Sequence, residues 1–216
     1  MAIHKVDGVD GVNQFPKKFV TLYASEVITK GMLVALDLSD TTNGLGASIR
    51  PADVATDASA GGGQPIVLGI ATETVAAAKY CKVQTAGKFT DATVHTSTAA
   101  GDSLYASIVA GSSYPAAEAY AGVNVDMIAG VAADTNMAVT GILTTDELID
   151  VSETDTGVDH TATASITTDG NVQSSATSAT NFVSITWRRD LNKVGYALEA
   201  DTAGAADIMI LDQGLF

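Results

Sequence analysis

The sequence predicts an all-β protein, for three reasons. Nearly the same seven-residue phrase occurs three times, at residues 67–73, 128–134 and 193–199, and an apolar strand-like stretch follows each copy. Small and β-branched residues are frequent while aromatic residues make up only 6% of the chain, which suits closely packed pleated sheets. No segment shows the apolar periodicity of a helix of globular length.

The repeated phrase is an apolar residue, glycine, another apolar residue, alanine, one further residue and an acid. A short link rich in Ala, Thr and Gly separates each phrase from the apolar stretch after it. Short self-similar β units build sandwiches, barrels or arrays. We therefore expect a strand–turn–strand unit at all three places.

Residues 1–18 are predicted to form an extended N-terminal arm. Gly8, Gly11 and Pro16 interrupt any periodicity there. Apolar anchors beside a basic doublet suit docking onto another surface, with order gained on binding. The candidate docking residues are Phe15, Lys17, Lys18 and Phe19. A leader folded back on its own domain is the alternative.

Residues 19–143 are predicted to form the main β domain. Strands are expected at 19–23, 32–36, in several pieces from 66 to 89, and at 137–143. Residues 51–64, with three consecutive glycines, are expected to be a surface loop. Pro115 and Gly122 bracket a stretch that predicts one or two helical turns.

Residues 144–180 are acidic and then rich in Ser and Thr, and they are predicted to be an insertion or linker. Residues 181–216 contain apolar stretches at 182–187, 195–198 and 208–211. These predict strands that return to the main core or form a second small β unit.

The charge is strongly acidic and unevenly distributed. The net charge is −14, and no Lys or Arg lies between Lys88 and Arg188. Nucleic acids and anionic membrane surfaces both attract cations, so neither is an expected partner. No apolar run approaches the length of a membrane span, and the N-terminus lacks the pattern of a signal peptide. Synthesis in the cytoplasm without export is the simplest expectation.

The sequence offers little reactive chemistry. Gly101-Asp-Ser-Leu104 spells an esterase signature around Ser103, but no histidine follows His160 to act as its base. Cys81 lies in an apolar strand pattern typical of a buried structural thiol. We therefore expect no enzymatic activity.

No metal or cofactor is expected either. The histidines are scattered without ligand spacing, and the densest acidic cluster does not have the spacing of a calcium loop. A solvated acidic surface is the preferred interpretation of that cluster. The histidines are His4, His95 and His160. The acidic cluster consists of Asp146, Glu147, Asp150, Glu153, Asp155 and Asp159.

Trp187, Arg188 and Arg189 form a candidate subunit interface. Cations beside an aromatic residue, in an acidic protein, could bind an acidic patch on a neighbouring subunit. The alternative is that the arginines pair within the chain, with Asp190 or Glu199.

Six short pieces of the chain, and the order in which they follow one another, resemble the bacteriophage capsid decoration (cement) proteins. The resemblance covers residues 27–143 and 193–211. The pieces are Gly31-Met-Leu-Val34, Gly69-Ile-Ala71, a Val83-Gln-Thr-Ala-Gly87 hairpin, Gly101-Asp-Ser-Leu-Tyr105, Gly195-Tyr-Ala-Leu-Glu199 and Ile208-Met-Ile-Leu211.

The resemblance implies a small β-barrel or β-tulip domain that sits as a homotrimer on the outside of an icosahedral shell. The implied partner is the major capsid protein, the implied location is the virion, and the N-terminal arm would add to the shell. The chain departs from the family pattern at about residues 144–186, which raises the question of an additional or duplicated domain.

Two other functions are alternatives to this one. A head fibre or surface adhesin could bind a host glycan through Tyr114, Tyr120 and Trp187, if these lie in exposed loops. A hydrolase would need a base that the chain does not supply for Ser103.

Overall fold

The computed structural model describes residues 16–43, 48–52, 66–106, 113–176 and 180–212. It confirms the all-β prediction: the described residues form strands and one short 3-10 turn at Thr161–Thr163. The strands fall into two compact units, one made of Met1–Glu118 with Asn192–Phe216 and the other of Ala119–Leu191. We name them the barrel unit and the sandwich unit.

The barrel unit contains one nine-stranded sheet, in the order β1-β3-β2-β4-β5-β15-β14-β6-β7. Its strands are β1 Lys18–Ala24, β2 Leu33–Leu36, β3 Ser48–Pro51, β4 Val67–Ala71, β5 Lys79–Thr93, β6 Ser103–Ala106, β7 Pro115–Ala117, β14 Lys193–Ala197 and β15 Ala205–Ile210. The pairing of β1 with β3 is parallel, and the other pairings in this sheet are antiparallel.

An additional pairing of β1 with β5 closes the first five strands of this sheet into a barrel. Alternate residues of β1 and β5 point inward, so Leu22 lies opposite Cys81 and Val20 opposite Val83. The 15-residue β5 then leaves the barrel and pairs with β15 over its second half. One long strand therefore links the barrel to the rest of the sheet.

Two apolar clusters fill the barrel unit. One lies inside the barrel and includes Val34, Leu68 and Val83. The other includes Leu33 and Ile70 from the same strands β2 and β4, together with residues of β6, β14 and β15. Because β2 and β4 contribute to both clusters, they are apolar on both faces, and β4 is buried at all five positions.

The first and third copies of the repeated phrase have the same structure in the barrel unit. Gly69 and Gly195 lie where the neighbouring strand passes so close that a Cβ would fall 2.1 Å and 1.9 Å from a backbone oxygen. The acid ending each phrase accepts a backbone N–H from the next strand, at 2.9 Å for Glu73 and 3.1 Å for Glu199. These two copies confirm the predicted strand–turn–strand unit.

The second copy of the phrase does not form this unit, so the prediction was wrong there. The strand before it, β8 Gly122–Ala129, pairs with β13, and the strand after it, β9 Asn136–Ala138, pairs with β12. A similar local pattern therefore leads to different partners in the sandwich unit.

The sandwich unit has two three-stranded sheets, ordered β10-β13-β8 and β11-β12-β9. The remaining strands are β10 Glu147–Glu153, β11 Ala164–Thr168, β12 Asn171–Ser174 and β13 Phe182–Arg189. Both sheets contribute to one core cluster, with Val151, Ile185 and Trp187 from the first sheet and Met137 and Val172 from the second.

Several local predictions differ from the structure. The predicted helical turns at 114–122 are instead the strand β7 and a turn, because Pro115 begins an edge-strand pairing with β6. The predicted hairpin at 83–87 lies within the continuous strand β5. The segment at 144–180, which was predicted to be an insertion or linker, contains β10, β11 and β12. It belongs to a unit of residues 119–191 that interrupts the barrel unit in sequence. Most of the predicted loop at 51–64 lies outside the described residues.

Candidate interaction surfaces

The residues of the predicted docking arm have different positions relative to the barrel. Phe15 lies outside the described residues, and Lys17 is exposed directly before β1. Lys18 and Phe19 are the first residues of β1, paired opposite Ala86 and Gln84 of β5. These two residues belong to the barrel wall, since their backbones take part in the ladder that closes it.

The outward side chains of β1 and β5 form a surface that combines aromatic rings with a cation. Thr21 lies opposite Lys82, and Tyr23 lies opposite Tyr80. The Lys82 ammonium lies 4.3 Å from the centroid of the Phe19 ring. The rings of Tyr23 and Tyr80 meet edge to face, with centroids 5.8 Å apart and planes at 81°. We call Phe19, Thr21, Tyr23, Tyr80 and Lys82 the seam surface.

The seam surface is exposed and carries a local excess of cations. Tyr80 is 69% exposed. Lys17, Lys79 and Lys82 form no ion pair with any of the described residues, whereas Lys18 pairs with Asp212. This concentration of unpaired cations contrasts with the net charge of −14 for the whole chain.

Sequence reasoning identified only the β1 end of this surface. Tyr23, Tyr80 and Lys82 were missed because the chain separates β1 from β5 by more than 50 residues, and only the barrel closure brings them together. The alternation of exposed Tyr80 and Lys82 with buried Cys81 and Val83 was the available signal.

The candidate interface residues at 187–189 have three different environments. Trp187 is 2% exposed and belongs to the core of the sandwich unit. Arg189 is 4% exposed. Only Arg188 is exposed, and it pairs with Glu147 at 2.5 Å and with Asp190 at 3.1 Å. The alternative of pairing within the chain, with Asp190 or Glu199, therefore holds for Arg188 through Asp190. Arg189 pairs within the chain with Asp146, which was not a predicted partner.

Arg189 is held by a bidentate pair in the interior of the sandwich unit. Its Nε and Nη2 donate to the two carboxylate oxygens of Asp146, each at 2.8 Å. Nη2 also donates to the Gly141 carbonyl at 2.6 Å, and the guanidinium lies 5.8 Å from the Tyr120 ring. Two parallel charge-assisted bonds of this kind fix a geometry strongly, so Arg189 is a structural residue of this unit.

A second exposed surface lies on β8, where the apolar side chains are exposed and the polar side chains between them face the interior. Val123, Val125 and Met127 are 63–65% exposed, while the alternate Asn124 and Asp126 face the interior side. Alternation alone predicts the opposite orientation, with the apolar row buried. Contiguous exposed apolar side chains are typical of protein contact surfaces.

The residues considered for catalysis have structural roles in the described part of the chain. Asp102 accepts the Ala99 N–H and so closes the turn before β6, and Ser103 pairs with Tyr196 in the sheet. Burial, with a smaller contribution from the charge of Glu73, raises the pKa of the Cys81 thiol to about 11. A thiol with this pKa is almost entirely protonated at neutral pH and is a poor nucleophile.

Side chains of the acidic cluster form hydrogen bonds and ion pairs within the sandwich unit. Glu153 and His160 are both buried, with Oε1 and Nε2 3.2 Å apart. The other carboxylate oxygen of Glu153 accepts hydrogen bonds from Thr156 and Asn181, both at 2.6 Å. Across the described ranges, no group of three or more His, Cys, Asp or Glu side chains is placed to hold a metal ion.

Trp187, one of the three residues of the alternative glycan site, is buried in the sandwich unit and does not lie in an exposed loop. Tyr114 belongs to the barrel unit and packs against His95, with centroids 6.2 Å apart. Tyr120 packs against the buried Trp187 in the sandwich unit, at 6.4 Å.

Comparison with known proteins returned no match to a family model, to a curated protein or to a solved structure. In the described part of the chain, no helix has the length and apolar character needed to cross a lipid bilayer.

Proposed function

We propose that this protein is a structural virion protein that decorates the outside of an icosahedral phage capsid and bridges major capsid subunits. One observation carries the proposal. The six sequence pieces that resemble decoration proteins all belong to the barrel unit, whereas residues 119–143, the last part of the first resembling range, belong to the sandwich unit.

These pieces also lie on neighbouring strands. They fall on or lead into β2, β4, β5, β6, β14 and β15, and the sheet order contains the run β2-β4-β5-β15-β14-β6. Motifs that are scattered along a chain and then assemble into one continuous sheet are expected of a shared domain, whereas chance matches would be distributed over both units.

The exposed surfaces are consistent with an assembly role. The seam surface offers aromatic anchors with cations, and the β8 row offers uncharged apolar area. Aromatic residues are enriched at protein interfaces, and charge is depleted at interface centres. The partners in this proposal are the major capsid protein and further copies of the chain in a homotrimer.

The proposed mechanism is mechanical. A shell that contains packaged DNA is under outward pressure, and its subunits separate only when their contacts are lost. A bridging interface of ordinary size buries about 1,600 Å², and many bridging copies reinforce one another through avidity. The decoration protein therefore raises the barrier to shell rupture without any chemical step.

The test uses phage particles made with and without the coding sequence for this chain. We expect immunogold labelling on the outside of intact heads, and DNA release at a lower temperature from heads that lack the chain. Adding purified wild-type chain to the deficient heads should restore the release temperature. Labelling of tails or fibres, or equal heat resistance with and without the chain, would contradict the proposal.

A further inference from the structure

We infer that the seam surface is the docking site through which the barrel unit binds a partner protein surface rich in carboxylates. The inference rests on the proposed function and deepens it, because it assigns the contact to one face of the barrel. It depends on the side chains of β1 and β5 and not on a free sheet edge.

The seam surface is preorganised for binding. The backbone of β1 pairs with β5 along its length and with β3 at its end, so it cannot accept another strand there. Tyr23 supports Tyr80 edge to face, and Phe19 supports the ammonium of Lys82. Side chains that are already held in place lose less conformational entropy when a partner binds, and exposed Tyr residues are frequent interface anchors.

The charge of the seam surface defines the partner. Lys82 lies in the middle of the seam surface, and three further exposed lysines, Lys17, Lys18 and Lys79, lie at or beside the strand ends that border it. Lys17, Lys79 and Lys82 have no ion-pair partner in the described ranges. Carboxylates on a partner would give these three ammonium groups ion-pair partners.

The geometry favours a protein over a glycan or a nucleic acid. A sugar stacks on an open ring face, but the Lys82 ammonium lies 4.3 Å from the Phe19 ring centroid and occupies a face of it. Tyr80 meets Tyr23 at 81°, so the two rings do not form a flat platform. A nucleic acid requires cations along its whole backbone, and the net charge of −14 opposes it.

The experiment measures binding of the full-length chain to heads from a phage that lacks its coding sequence. Tyr80→Ser and Lys82→Glu alter exposed side chains, and retained folding is checked by circular dichroism. We expect each to lower the affinity about tenfold or more. Lys82→Gln should lower it less, and Lys82→Glu should also weaken the salt dependence of binding.

The matched control is the pair Lys193 and Tyr196 on β14. The Lys193 ammonium lies 3.9 Å from the Tyr196 ring centroid, so a second contact between a lysine and an aromatic ring lies on a strand outside the seam. We expect Lys193→Glu and Tyr196→Ser to bind within about twofold of the wild type, as surface substitutions away from an interface do.

The outcomes separate the two proposals. Wild-type binding that neither Tyr80→Ser nor Lys82→Glu weakens would overturn the seam surface as the docking site and leave the decoration function in place. A wild-type chain that does not bind the deficient heads would overturn both. Binding to purified host surface polysaccharide that Tyr80→Ser abolishes would show a glycan site and overturn the inference.

Discussion

Gly69 lies so close to the backbone of Gln84 that a Cβ atom at this position would be 2.1 Å from the Gln84 carbonyl oxygen. The third copy of the repeated phrase has the same relationship, with Gly195 against the Met209 carbonyl at 1.9 Å. Neither clash can be relieved by rotating a side chain, since the obstructing atoms belong to the backbone of the paired strand.

We predict that Gly69→Ala and Gly195→Ala each lower the free energy of unfolding of the barrel unit by about 3 kcal/mol, the upper end of the usual cost of overpacking. Gly101→Ala is the control, because Gly101 has φ +89° but no atom within 4 Å of its added Cβ. Gly101→Ala should lower the free energy of unfolding only by the cost of placing alanine in the left-handed conformation, about 1–2 kcal/mol. Urea denaturation followed by circular dichroism measures all three, and equal costs would contradict the role assigned to the close approach.

The buried pair of Asp146 and Arg189 predicts a large effect in the sandwich unit. Asp146→Asn removes the carboxylate charge from the buried bidentate pair with Arg189, and the expected loss of stability is about 3–5 kcal/mol. The exposed Arg188 provides the control, since Arg188→Gln removes only surface ion pairs and should cost less than about 1 kcal/mol.

The fluorescence of Trp187 measures this difference. Trp187 is the single tryptophan and lies in the core of the sandwich unit, so its unfolding transition in urea reports on that unit. Similar midpoints for Asp146→Asn and Arg188→Gln would contradict the buried bidentate pair.

The apolar side chains of β8 are exposed, so we expect them to tolerate polar substitution. The sequence pattern alone predicts that they are buried and would not tolerate it. Val125→Lys places a charge on the exposed face, so we expect the isolated chain to change in stability by no more than about 0.5 kcal/mol. Ile185→Ala on the neighbouring β13 removes a fully buried side chain and should cost about 2–5 kcal/mol. Urea denaturation monitored by Trp187 compares them, and a severe loss with Val125→Lys would show that the valine row faces inward.

The pKa of Asp37 predicts acid sensitivity in the barrel unit. Burial raises the pKa of Asp37, but hydrogen bonds from Ser25 and Ser39, with the nearby charge of Arg50, outweigh burial and hold it below its usual value of 3.8. The ionised carboxylate therefore stabilises the fold above about pH 4, and this contribution is lost as the pH falls through the lower folded-state pKa.

We expect the stability of the wild type to fall more steeply below pH 4 than that of Asp37→Asn, which has no titrating group there. Urea midpoints measured from neutral pH down to about pH 2 make the comparison. Lys30→Gln, at an exposed lysine, should follow the wild type. Parallel curves for the wild type and Asp37→Asn would exclude this carboxyl as the cause.

The sequence by itself determined the fold class and the positions of about half of the strands. Alternation and composition were enough to predict β1, β2, β13, β14 and β15, because the side-chain period of a strand is a local property. The repeated phrase also predicted the two strand–turn–strand units of the barrel unit, since glycine and the terminal acid act within a few residues of the turn. The predicted helical turns after Tyr114 were wrong because Pro115 suits an edge strand as well as a helix start.

Only the tertiary structure decided which strands meet and which side of each strand is exposed. Local pattern could not show that β5 closes the barrel onto β1, that the second phrase pairs β8 with β13, or that Arg189 is buried against Asp146. Strand pairing depends on contacts between residues far apart in sequence, and a shift of one residue in register exchanges the two faces of a strand. For the same reason the seam surface, built from two strands that are distant in the chain, emerges only when the barrel closes.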